Sequence, residues 1–149
     1  MLVALTLLMI GLIPAFLQAT NSLQLTGQVR NGLIASHLAQ EGAEVIEALR
    51  DKNWMAGQAF DTGLTTCAAG CRVQYDSTSL LAASAVPLKF DAATGLYQYT
   101  TGTNSAFTRT ITITEPTTHE LVIISTVTWT ERTTNKSFSV EVHLFDWLK

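Results

Sequence analysis

The hydrophobic pattern of this chain changes character three times. From Met1 to Leu17 it reads MLVALTLLMIGLIPAFL, without a charged residue, and from Gln18 to about Trp54 it keeps a helical period while becoming polar. At 100° per residue, Leu25, Val29 and Leu33 fall along one stripe, and Ile34, Leu38, Val45 and Leu49 fall along another about half a turn away. Two stripes imply two partners. Gln40, Glu44, Glu47 and Asp51 gather opposite the second stripe, the arrangement of a helix with one face on a sheet and the other in water. Ile34, Leu38, Val45 and Leu49 are therefore the expected helix–sheet packing residues. The carboxylates read as a solvated face, not a catalytic cluster.

Beyond Trp54 the period disappears. Residues 55–84, rich in Gly, Thr, Ala and Ser, read as an irregular connection with one short strand at CRVQYD. A period of two then takes over. FTRTITIT sends Phe107, Arg109, Ile111 and Ile113 to one face and four threonines to the other. ELVIISTVTWTE groups Leu121, Ile123, Val127 and Trp129, and SFSVEVHLF groups Phe138, Val140, Val142 and Leu144. EPTTHE and RTTNK supply the reversals, and PLKFDAATGLYQYT reads as an earlier hairpin turning near Ala93 to Gly95. The pattern predicts an α+β fold: a long N-terminal helix whose second half packs on an antiparallel sheet. Its segments are 1–17 (apolar helix), 18–54 (amphipathic continuation), 55–84 (connection) and 85–149 (sheet).

The first seventeen residues, at 1.5 Å each, lie at the short limit for crossing about 30 Å of hydrocarbon. A membrane span is the expectation. A cleaved signal peptide fits less well, because a basic start is missing and Leu17 stands where the cleavage rule wants a small residue. Gly11 and Pro14 are tolerated in membrane helices.

Composition adds little. The chain has 149 residues, 14% of them charged, and a net charge of −3. No basic field points to nucleic acid, and no specific nucleic-acid partner is evident. There is no GxSxG, and His37, His119 and His143 lack metal-ligand spacing, so no catalytic residue, cofactor or metal is expected. His143 reads as a surface or rim residue. Arg109, on an apolar strand face, reads as a rim residue whose stem covers apolar surface. Asn135 opens an N-K-S sequon, a tripeptide common by chance.

An apolar N-terminal helix containing LVAL, running unbroken into an amphipathic half and then an antiparallel sheet, is similar to the type IV pilins and the pseudopilins of type II secretion. LIASHLAQEGAEVIEALRDKNW resembles the helix C-terminus of minor pilin-like proteins. FTRTITIT, VTWTE and LFDW resemble the closing strands of V-type minor pilins and I-type minor pseudopilins. The resemblance covers residues 1–54 and 107–147.

The resemblance implies a structural subunit of a pilus or secretion filament, a minor, priming or tip component, and not an enzyme. It implies single-pass insertion in the cytoplasmic membrane with the C-terminal domain extracytoplasmic. The implied partners are membrane lipid, other pilin or pseudopilin subunits through the N-terminal helix, and the assembly platform. An anchored extracytoplasmic binding or adhesive domain that does not polymerise is the alternative. The family's basic leader, Gly cleavage point, Phe and Glu are not found before Met1, and the expectation is that the upstream frame encodes them. In an extracytoplasmic domain Cys67 and Cys71 close CAAGC as a local disulfide. A metal pair and a redox pair are the other readings.

Overall fold

A computed structural model describes residues 2–147, without the side chains of residues 2, 4, 5, 7, 15, 19, 21, 23 and 66. One helix, α1, runs over Leu2–Met55. The chain divides into two units, Met1–Leu33 and Ile34–Lys149. The fold is α+β, as the pattern predicts.

The helix ends where its carbonyls find other donors. Gly57, at φ +68°, takes the left-handed conformation. Its N–H donates to Trp54 O (3.0 Å) and the Gln58 N–H donates to Asn53 O (2.9 Å). This is the Schellman closure that a glycine just past a helix makes cheap. The Asn53 amide then donates to Phe60 O and Thr62 O, holding the next turn under the helix end.

In the second unit eight strands follow. They are β1 (Cys71–Arg72), β2 (Leu81–Ala82), β3 (Lys89–Asp91), β4 (Leu96–Gln98), β5 (Thr103–Asn104), β6 (Thr108–Thr117), β7 (Glu120–Glu131) and β8 (Thr134–Phe145). They form a five-stranded sheet in the order β2-β1-β6-β7-β8 and a separate three-stranded sheet in the order β4-β3-β5. The β6-β7-β8 meander and the β3-β4 hairpin lie where the alternation places them. In the hairpin, Asp91 accepts from the Ala93 N–H through its side chain and from the Gly95 N–H through its carbonyl. The connection over 55–84 holds the expected short strand within CRVQYD, as β1, and beyond expectation a 3₁₀ turn at Thr65–Cys67 and the strand β2. The β3-β4 hairpin stands in the three-stranded sheet, where β3 also pairs with β5.

Two apolar clusters lie between helix and sheet. One joins Ala35, Leu38 and Ala39 to Leu88, Phe107, Val127 and Trp129. The other joins Val45, Ile46 and Leu49 to Val73, Ile111, Ile113, Leu121, Ile123 and Leu144. Leu38, Val45 and Leu49 are buried as expected, and Ile34 is half-buried at the rim of the first cluster. Gln40, Glu44 and Glu47 are exposed and Asp51 is half-exposed. On β8 the expected apolar face is only partly covered: Leu144 is buried, Val140 and Val142 are half-buried, and Phe138 is exposed. β8 is the edge of its sheet, so an apolar alternation there does not guarantee cover.

Candidate functional site

The feature that sets this chain apart is a change of environment within one helix. In the first unit the described large apolar side chains stand in the open. Val3, Leu8, Ile10 and Phe16 are exposed, as are all three members of the first stripe, Leu25, Val29 and Leu33. In the second unit the helix buries its apolar side chains from Ala35 to Leu49, apart from the exposed Ala48, and Met55 at its end is exposed again. The first charged residue of the whole sequence is Arg30, so the exposed segment up to Val29 also lacks the charges that keep a surface helix in water. A helix with apolar residues in the open is built for an apolar neighbour.

Among the described residues no helix is long and apolar enough to cross a membrane. The expected span over residues 1–17 rests in part on the side chains of Leu2, Ala4, Leu5, Leu7 and Ala15, and these lie outside the described residues.

In the second unit the largest departure from expectation is Arg109. It is not a rim residue: it is fully buried. Its Nη1 donates to Leu38 O at 2.7 Å and to Glu41 Oε1 at 3.0 Å, and its Nη2 donates to Val73 O at 2.5 Å. One guanidinium thus ties the helix, β6 and the chain just after β1 together. It has room because Gly42 faces it. A Cβ on Gly42 would stand 2.5 Å from Ser125 Oγ, 2.9 Å from Ile111 Cδ1 and 3.0 Å from Arg109 Cδ. Gly42, Arg109 and Ser125 form a buried belt between the two apolar clusters. The rim expectation fails because two carbonyls and a carboxylate, none of them near in sequence, accept from the guanidinium where it is buried.

Around this belt the polar groups serve packing. Gln74 Oε1 accepts from the Tyr99 N–H, and the Gln74 side-chain amide donates to Asp76, fixing the segment after β1 on the turn after β4. The Tyr99 ring carries the Arg72 guanidinium 4.7 Å from its centroid. Burial pushes the Tyr99 hydroxyl above its ordinary pKa. Cys67 and Cys71 form a disulfide beneath the helix, both buried.

At the end of the sheet where the helix stops, His143 Nδ1 lies 2.7 Å from Glu120 and its Nε2 3.1 Å from Glu141. Hydrogen bonds to Glu120 first and Glu141 second hold this exposed imidazole above its ordinary pKa. A half-open cleft of 350 Å³ is lined at the same end by Trp54, Phe60, Asp61, Glu115, Thr118 and Asp146. Among the described residues no group of three or more His, Cys, Asp or Glu is placed to hold a metal ion. His37 and His119 do not join His143 in any site, and Asn135 sits exposed beside the β7-β8 turn.

The chain matches no protein-family model, no curated protein and no solved structure.

Proposed function

We propose that this protein is a structural subunit of a type IV pilus-like or type II secretion-like filament, a minor or priming component, joined to its neighbours through its N-terminal helix. The observation that carries the reading is the uninterrupted helix whose described large apolar residues are open up to Leu33 and buried between Leu38 and Leu49. One continuous element serves two settings: an apolar environment outside the domain for its first part and the sheet for its second. A break between them would uncouple anchor from domain. The helix–sheet arrangement and the resemblance of residues 1–54 and 107–147 to pilin-like proteins point the same way.

In this reading the chain sits in the cytoplasmic membrane before assembly, with its domain extracytoplasmic. The Cys67–Cys71 disulfide supports that placement, since such bonds persist in oxidising compartments. Lipid, neighbouring subunits and an assembly platform are then the partners, and the chain's role is architectural, not enzymatic.

Fractionation of cells that make the full-length protein tests this. The expectation is that alkaline extraction leaves the chain in membranes, that protease added outside the cytoplasmic membrane reaches the domain, and that sheared surface or periplasmic filaments contain it. Recovery in the soluble cytoplasm overturns the proposal. Retention in membranes without any entry into filaments replaces it with an anchored binding domain.

A further inference from the structure

The two edges of the five-stranded sheet are unlike. One is β2, two residues long. The other is β8, twelve residues long and paired with β7 at every position from Thr134↔Glu131 to Phe145↔Glu120 without a register shift. Natural sheets blunt such edges with short strands, proline, bulges or charged side chains, lysine above all. β8 has no proline and no bulge; its charged residues are Lys136, near its start, and Glu141, whose side chain lies on the outer face. Its inward face also continues beyond the helix's cover as an apolar row, Phe138, Val140 and Val142, exposed or half-exposed.

We infer that β8 is a pairing edge for a second copy of this chain, joined antiparallel about a two-fold axis through Val140, so that two five-stranded sheets become one. The strand's own sequence selects this occupant and this register. A two-fold axis perpendicular to a sheet keeps each face on its own side, so it must pass through a residue and not between two. With the axis at Val140, the two Val140 side chains meet, and Phe138 of each copy lies opposite Val142 of the other. The whole apolar row is then matched by apolar partners, as aromatic and β-branched cross-strand pairs. On the outer face Ser139 meets Glu141 and Ser137 meets His143, so no like charges are opposed. With the axis at Val140, Lys136 falls outside the row, opposite the already buried Leu144; moving the axis to Ser139 sets it against Val142 and takes that residue out of the apolar pairing. Moving it to Glu141 sets two carboxylates against each other. The inference stands on the edge strand alone and does not rest on filament entry.

The test uses the full-length protein in detergent micelles, with mass read by sedimentation and pairing by disulfide trapping. The wild type is expected to show a concentration-dependent dimer. Val140→Cys is expected to give a cross-linked dimer on mild oxidation, and Lys136→Cys, which faces Leu144 in this register, is not. Val140→Lys places two ammonium groups on the axis and is expected to abolish that dimer while thermal unfolding shows it still folded. If Val140→Lys does not fold, the Val140→Cys and Lys136→Cys pair decides alone. A wild type monomeric at all concentrations overturns the inference, as does a mass unchanged in folded Val140→Lys or equal trapping at 136 and 140.

Discussion

Arg109 passes so close to Gly42 that a single methyl group on the glycine would lie 3.0 Å from the arginine Cδ. The helix can approach the sheet at this level because residue 42 has no side chain, and the buried guanidinium reaches the Leu38 carbonyl through the space so left. The two features depend on each other.

Gly42→Ala therefore runs against the ordinary sign of that substitution in a helix. Alanine gains about 1 kcal/mol of helix propensity, and overpacking against Ser125, Ile111 and Arg109 costs roughly 1–3 kcal/mol. A net loss of about 1 kcal/mol is expected in denaturant unfolding. Gly32→Ala, where a Cβ meets nothing within 4 Å, is expected to be neutral or stabilising. Stabilisation at both sites would show that helix and sheet are not in close contact at Gly42.

Arg109→Ala is expected to cost at least about 1–3 kcal/mol, the range for a buried polar group left without its partner, since Leu38 O and Val73 O lose a donor and the stem's packing is lost; Glu41, partly exposed, is left to water. Arg109→Lys keeps the charge but not the fork that reaches both carbonyls, and should fall between alanine and wild type. A loss within about 0.5 kcal/mol for alanine, the usual surface value, would return Arg109 to the rim.

Much of this architecture was legible from periodicity. Alternation with period two marks β6, β7 and β8 because their inward side chains meet a core, and the Ile34, Leu38, Val45 and Leu49 stripe marks the covered helix face. The belt between the clusters was not legible. A stripe read through large aliphatic residues passes over Ala35, Ala39, Gly42 and Ala43, which are all buried, with no room for a methyl group at Gly42. Arg109 was placed at a rim because its acceptors, at residues 38, 41 and 73, are distant in sequence. A strand of two residues such as β2 is too short to show any period, and the exposure of Phe138 follows from its place at a sheet edge, which alternation does not encode.

Reduction of the Cys67–Cys71 bond should loosen the segment between the helix and β2 while the β6-β7-β8 meander holds. The chain-entropy model gives about 2 kcal/mol for so short a loop. Hydrogen exchange of the Cys67→Ser, Cys71→Ser double variant is expected to quicken around residues 60–82 and to leave β7 unchanged. Equal quickening in β7 would mean that the bond supports the whole sheet.

The His143 pairings with Glu120 and Glu141 make a small pH dependence. Because the folded-state pKa is raised, the contribution is complete below the unfolded value of about 6.5 and fades as pH rises through the folded value. The melting temperature should fall across that window in wild type, and less in His143→Gln. Identical slopes for the two proteins would remove His143 from the account.

In the proposed subunit one helix serves two environments, and the domain is expected to need only the part from Leu25 onward. Thermal unfolding of the chain lacking residues 1–24 decides this. The expected result is a protein that is soluble without detergent and unfolds in one cooperative transition, at a midpoint close to that of the full-length chain in detergent. A truncated chain that aggregates or melts without a cooperative transition would contradict it, because the exposed apolar segment would then belong to the fold of the domain itself.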